Sequence, residues 1–344
     1  MLWKRPERAA DVAPVMLWGP PGTGKSSLVA GICRELDIEL IDIRLAQRDP
    51  VDLRGLPVPT KHSVDWLVSS DWPRKPDSRG IILFDELTAV DRSLQVAVYE
   101  IILDRRLGNL YHVPPGWLMV AAGNRGGDQA VTTTMSSALA NRFCHIEMEP
   151  DLDDWLRWAQ GTGIHPEVIG FLRFCPDRFH DMSGDVERGW PSARSWERVS
   201  HLMYRDKLDE DLLELMTGGL VGCGTARQFM AFHEISAQLP DAARLLLEPD
   251  SFVAPERIDQ RHALCAALVY HLWRGPDDEL DRRIEGFLRI GLKLSSDFAA
   301  MCMADAIHNQ PEHRRMTGRL VGHRLMDEWR RKHGSAFRLD QDVA

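Results

Sequence analysis

A chain of 344 residues is long enough for two or three domains, each burying its own core. An apolar share of 44% and a charged share of 27% exclude a disordered or low-complexity chain. A formal charge of −9 argues against a general binder of nucleic acid or acidic membranes, although a local basic patch stays compatible with it.

The first 150 residues alternate short apolar runs with helical patterns, as a parallel sheet with covering helices requires. Strands are predicted at Val15–Trp18, Ile38–Arg44, Ile81–Phe84, Leu118–Ala122 and Phe143–Met148. Helices are predicted between them at Lys25–Glu35, Arg92–Leu103 and Thr133–Ala140. Leu45–Gly80, with several prolines and with Trp66 and Trp72, reads as an insertion rather than a simple crossover. Arg105–Pro115 reads as a hairpin turning at Gly108–Asn109.

Beyond Pro150 the pattern is helical only. Asp151–Gln160, Pro166–Phe174, Ser195–Tyr204 and Asp209–Met216 suit a small helical domain, taken as 151–250. Longer segments at Ile258–Trp273, Asp278–Leu292, Asp297–His308 and Glu312–Lys332 suit a third unit over 251–344. The basic stretch His313–His333 has the spacing of an amphipathic helix with a solvated face. Pro311 between His308 and His313 spoils the helical spacing a metal pair would want. Six scattered cysteines without a CxxC pair favour reduced thiols over a disulfide framework or zinc site. No apolar run is long enough to span a membrane and the N-terminus lacks a signal-peptide core, so a cytoplasmic protein is expected.

The strongest local signal is Gly19-Pro20-Pro21-Gly22-Thr23-Gly24-Lys25-Ser26, directly after the apolar Val15–Trp18. Strand, glycine-rich loop and helix in that order form a phosphate cradle: the glycines let backbone N–H groups turn inward, and the helix points its positive end at the same place. Lys25 would reach the β- and γ-phosphates and the Ser26 hydroxyl would ligate magnesium. Gly80–Phe84 then leads into Asp85-Glu86, an acidic pair at the C-terminal edge of a buried strand. Asp85 would hold the metal through water while Glu86 polarises the attacking water. Trp117–Ala122 ends in Gly123-Asn124, where Asn124 either bonds the attacking water or the γ-phosphate, or is a turn residue after glycine. Arg142 closes a predicted helix just before the last strand, and an ordinary surface arginine is the alternative there.

In this order and spacing the residues resemble the AAA+ superfamily and, within it, the MoxR group. Gly19–Ser26 resembles its Walker A loop, Ile82–Glu86 its Walker B strand, Ala121–Asn124 its sensor-1 strand, and Leu139–Phe143 its arginine-finger box. The resemblance runs from about Ala13 to Leu202. It implies a P-loop NTPase αβα core with a five-stranded parallel sheet, a small all-α lid and a further all-α C-terminal region. It also implies ATP and Mg²⁺ as ligands. Arg142 would enter the next subunit's site, where such a finger supplies roughly 10³–10⁵ in rate. Pro191–Trp196 is similar to the family's lid-helix motif, which would make Arg194 the sensor-2 residue of its own subunit; an exposed helix-start arginine is the alternative. MoxR proteins also carry an insertion and a hairpin where Leu45–Gly80 and Arg105–Pro115 lie, facing the ring's channel or the partner. Trp66 and Leu67 are then substrate-gripping candidates, unless Trp66 and Trp72 only pack the insertion down.

The function this resemblance implies is a ring, hexameric in the family, that spends ATP on remodelling a partner protein. The partner commonly contains a von Willebrand factor A domain. The competing class is a nucleic-acid-acting AAA+ ATPase, such as a helicase loader or defence-system motor. The acidic balance and the lack of a nucleic-acid motif stand against it. Only eighteen residues precede the loop, so no adenine contact is named, and residues beyond about 250 match no motif.

Overall fold

The computed structural model describes residues 6–128, 132–205, 208–307 and 314–336. The chain divides into two compact units, Met1–Pro150 and Asp151–Ala344.

In the first unit β1 (Val15–Trp18) leads into α1 (Lys25–Leu36) and β2 (Glu39–Arg44). A 3₁₀ turn and the short α2 (Pro50–Arg54) precede a hairpin of β3 (Leu56–Pro59) and β4 (Val64–Leu67). Next come β5 (Gly80–Asp85), α3 (Arg92–Asp104), a second hairpin of β6 (Arg106–Leu107) and β7 (Tyr111–His112), then β8 (Trp117–Gly123), α4 (Ser137–Ala140) and β9 (Cys144–Glu147). Five strands form one sheet in the order β2-β5-β8-β1-β9, every pair parallel, with Val15 opposite Val120 and Cys144, and Gly80 opposite Glu39 and Trp117.

Alternation along β5 explains the two layers around this sheet. Ile82 and Phe84 enter a core with Val98, Ile101 and Trp72 on one face, while Ile81 and Leu83 meet Val29 and Cys33 of α1 on the other. Each of these side chains is nearly fully buried, and each such burial stabilises the fold by roughly 1.5–3 kcal/mol. The central strands β5 and β8 therefore have both faces covered, as near-continuous apolar strands demand, while all four residues of the edge strand β9 are exposed.

The insertion is present as expected, and its two tryptophans behave differently. Trp72 is 2% exposed, stacks on Tyr111 with Phe84 tilted against it, and donates its indole N–H to the Leu53 carbonyl at 3.4 Å. Trp66, on β4, is 42% exposed. The helix expected over Thr133–Ala140 covers only Ser137–Ala140. The Thr133 amide is taken by the Thr88 carbonyl at 2.6 Å, and Ser136 caps the helix by accepting from the Leu139 amide. A run of three β-branched threonines ahead of that cap has little reason to be helical.

The second unit is all helical: α5 (Leu152–Thr162), α6 (Pro166–Phe174), α7 (Ala193–Met203), α8 (Glu210–Val221), α9 (Cys223–Ala237), α10 (Ala242–Leu247), α11 (Ile258–Trp273), α12 (Leu280–Lys293), α13 (Ser296–Ile307), α14 (Arg314–Val321) and α15 (Met326–His333). Where the sequence reading separates 151–250 from 251–344, these helices make one body, because α11 packs closely along α6. Gly170 of α6 permits that approach: a Cβ there would stand 3.2 Å from the Ala263 Cα and the His262 carbonyl. Ala263 and Ala266 thereby join the core of Trp196, Phe171 and Phe229. The helix expected over Glu312–Lys332 is two, broken at Gly322–Leu325. His308 and residues 312–313 lie outside the described residues. Among the described residues no helix is long and apolar enough to cross a membrane.

Candidate functional site

Sheet order decides where the chemistry-bearing residues meet. β8 lies between β1 and β5, so the C-terminal ends of the three strands stand side by side. The loop after β1, the acidic pair ending β5 and the asparagine after β8 share one edge, the place where open α/β sheets bind ligands.

Within the loop Gly22 and Gly24 take φ of 78° and 88°, the left-handed region that glycine enters without penalty. Gly24 is the N-cap of α1 and offers no side-chain cap. The first-turn amides of that helix therefore lack intrahelical acceptors, and an anion would supply them. Thr23 donates its hydroxyl to the Pro20 carbonyl at 3.0 Å and braces the bend across Pro21.

Lys25, 8% exposed, donates its ammonium to the carbonyls of Gly19 at 2.7 Å and Pro20 at 3.0 Å, and to Asn124 Oδ1 at 3.0 Å. A cation this buried needs such partners. The Ser26 hydroxyl donates to Asp85 Oδ2 at 2.6 Å, while Asp85 Oδ1 accepts the Glu86 amide at 3.0 Å. Glu86 is exposed and sits at φ 62°, a conformation that a non-glycine residue holds only under constraint from its surroundings.

Two residues the sequence reading passed over complete the edge. Thr88, 2% exposed, donates to the Asn124 carbonyl at 3.2 Å and accepts the Asn124 amide at 3.0 Å. Gly123 makes room for that clamp, since a Cβ there would stand 2.6 Å from Thr88 Oγ1. Asp42 of β2 has its carboxyl pushed up by burial and then by the Asp85 charge, with Arg44 working against both. Nothing in the sequence marks Thr88, whose partner Asn124 is 36 residues away, and nothing marks Asp42.

The predicted residues thus fall into three places. Gly19–Ser26, Asp85, Glu86 and Asn124 form one cluster joined by hydrogen bonds. Arg142 shares no bond with that cluster; it is exposed just past α4, and its guanidinium has no hydrogen-bond or ion-pair partner among the described residues. Arg194 belongs to the second unit as the exposed second residue of α7, behind a Ser192 cap. A hydroxyl and a carboxylate 2.6 Å apart are hard oxygen donors that fit magnesium. Among the described residues no three His, Cys, Asp or Glu gather into a cage of their own, so the cation would rely on phosphate oxygens as well.

Residues 15–146 match the family described as "ATPase family associated with various cellular activities (AAA)". That stretch is an AAA ATPase domain. An AAA-ATPase of Arabidopsis thaliana is 48% identical over 54 residues, which is 15% of this chain and 12% of the relative. Lon protease 2 of Borreliella burgdorferi is 37% identical over 83 residues, 24% of this chain and 10% of the relative. The chain thus spans about a tenth of the length of these curated relatives. Among solved structures, the RuvB Holliday junction branch migration motor of Thermotoga maritima aligns over 78% of this chain and 80% of its own, at 17% identity and a TM-score of 0.34. NtrX of Brucella abortus in complex with ADP aligns over 96% of this chain and 66% of its own, with the same identity and score. Both likenesses are too distant to bear on function.

Proposed function

We propose that this chain is a magnesium-dependent ATPase of the MoxR type, working as a ring whose sites lie between neighbouring subunits and whose turnover remodels a partner protein. The observation that carries the ATPase reading is the bonded cluster at the strand edge: Lys25 to Asn124 and Ser26 to Asp85. These contacts bring three motifs, drawn from three strands and a helix, to one point.

In this reading the loop amides and Lys25 hold the β- and γ-phosphates, and Asn124 orients the attacking water. Ser26 and Asp85 hold magnesium, which would supply positive charge against the charge developing on the phosphoryl oxygens. Glu86 accepts a proton from the attacking water; its left-handed backbone turns it away from the line of β5. Thr88 fixes the Asn124 backbone. Arg142 completes the neighbour's site, which its unpartnered, exposed guanidinium supports, and Arg194 is the sensor-2 residue of its own subunit. A hexamer and a von Willebrand factor A partner rest on the motif resemblance alone. The exposed Trp66 and Leu67 of the β3–β4 hairpin are available for such a partner.

The test is Glu86→Gln. An amide cannot take the proton, so turnover should fall by about 10²–10⁴ while nucleotide binding persists. The trapped form should retain its protein client in a pull-down. Near-normal turnover would move the base elsewhere. Several-fold stimulation of wild-type turnover by DNA or RNA, weakening steeply with salt, would replace the remodelling class by the nucleic-acid class.

A further inference from the structure

His145, the second residue of β9, lies between two parts of the first unit that the proposed mechanism treats separately. The Trp18 indole N–H donates to its Nδ1 at 2.8 Å, and the two rings stack with centroids 6.0 Å apart and 16° between planes. Its Nε2 stands 2.8 Å from the Ala140 carbonyl. An indole nitrogen is only a donor, so Nδ1 must accept, and the neutral ring carries its proton on Nε2. That proton goes to Ala140. The chemistry of the two neighbours thus fixes both the tautomer and the ring's orientation.

Each anchor is close to a residue of the proposed reaction. Trp18 is the last residue of β1 and precedes Gly19, whose carbonyl accepts from Lys25. Ala140 is the last residue of α4, and its carbonyl also accepts the Phe143 amide at 3.2 Å. The Arg142 amide bonds the Leu139 carbonyl at 3.1 Å, so Arg142 sits in a turn that His145 closes from outside. Phe143, 8% exposed, presses edge-on against the same imidazole at 6.2 Å. The Arg142 guanidinium has no partner of its own among the described residues, and a long unpartnered side chain holds its direction only through its backbone.

We propose that His145 is a positioning residue for Arg142: tied to Trp18 beside the phosphate loop, it fixes the turn from which the arginine is presented to the neighbouring subunit's site. This rests on the shared-site reading above. His145 touches no reacting group; it acts through the Ala140 carbonyl. A subunit lacking the tie keeps a sound phosphate loop and presents a badly aimed arginine.

Two variants test this. His145→Phe keeps a ring on Trp18 and removes both hydrogen bonds; Trp18→Phe keeps the imidazole and removes only the indole donor. In each, kcat should fall about tenfold, with nucleotide Kd and KM within about twofold, since the arginine acts mainly in the transition state. Thermal unfolding and native mass spectrometry should match wild type; if His145→Phe fails to fold, Trp18→Phe takes its place in the mixing experiment. The deciding readout is that subunit mixing. Lys25→Ala subunits carry a sound arginine and a dead loop, so mixed with His145→Phe they should restore turnover on the His145→Phe loops. Arg142→Ala subunits carry a dead arginine and should give no such recovery. The opposite pattern, recovery with Arg142→Ala and none with Lys25→Ala, would show that His145 serves its own loop and overturn the proposal. Unchanged kcat in both variants would do the same. The control is Arg142→Ala mixed with Lys25→Ala: if those two fail to rescue each other in co-assembled mixtures, the shared site itself is wrong, and the proposal goes with it.

Discussion

Glu86 at φ 62° and Thr88 beneath it show what single residues contribute. A left-handed glutamate costs about 1 kcal/mol that a glycine would not. Glu86→Gly should therefore abolish turnover while raising the unfolding free energy in urea by up to about 1 kcal/mol, net of glycine's greater unfolded-state freedom. Glu86→Gln should show no such gain, because it keeps the strain. Equal stabilities for the two variants would mean the backbone there is relaxed. Thr88→Val removes both bonds to Asn124 at nearly constant volume, and valine leaves the Asn124 amide and carbonyl without that partner. We expect kcat to drop more than nucleotide affinity; a change in affinity alone would separate Thr88 from the role proposed for Asn124. Lys25→Ala removes the charge at the loop, and unchanged nucleotide affinity by calorimetry would remove the phosphate-loop assignment. These loop and acid residues were legible in the sequence because their chemistry is local: strand, glycines, lysine, then an acidic pair. Thr88 was not, because its partner Asn124 is 36 residues away and only the β5–β8 pairing brings them together.

Helices and strands were legible where periodicity ran uninterrupted. The five core strands lie where alternation and apolar runs put them, most tightly at β5 and β8, whose two covered faces leave little latitude in composition. α9 and α10 are not legible in this way: α9 opens on Gly222-Cys223-Gly224, which reads as a loop, and α10 is only six residues long. Between α6 and α9 a single ionic contact is open to measurement. Glu167 of α6 lies 2.6 Å from His233 Nδ1 of α9, and that hydrogen bond, more than the Glu167 charge, holds His233 above the usual imidazole value against the pull of burial. The folded state binds this proton more tightly than the unfolded chain does. The stabilisation is thus complete below the ordinary value of 6.5 and is lost as pH rises through the higher folded value. The difference in Tm between wild type and His233→Gln should be largest at about pH 6 and shrink by about pH 8.5. A difference that grows with pH would contradict the contact. Neighbouring His165 is pushed down, chiefly by burial and in part by the His233 charge, so its contribution runs the other way and changes with the substitution.

At the level of the whole chain, the two units differ in what the sequence disclosed about them. The motifs quoted from the sequence lie mostly in the first unit; the second holds Arg194 and a helical core whose largest fully buried side chains, Trp196 and Trp329, mark packing rather than a reaction. A site completed by a second copy makes specific activity depend on protein concentration, rising as subunits assemble and levelling off once they have. A flat profile across the assembly range would favour a self-sufficient monomer.

The β3–β4 hairpin has a consequence of another kind. Its ends, Leu56 and Leu67, face each other across one antiparallel pair, and nearly all of its residues are exposed. Trp72 pins the chain down only after the hairpin has closed. Strand ends so placed are roughly 5 Å apart, a gap that a two-residue turn can bridge. The hairpin is therefore an exchangeable cassette, free to lengthen, shorten or change composition without disturbing the sheet beneath it. On the proposed remodelling function, a dozen surface residues could then be edited to suit a different partner while the strand-edge cluster stays fixed. The same freedom is open to the engineer: replacing residues 57–66 by a short turn should leave Tm and basal turnover within error of wild type and, on the proposed function, alter partner binding alone. A collapse of either quantity would mean that the cassette is part of the core.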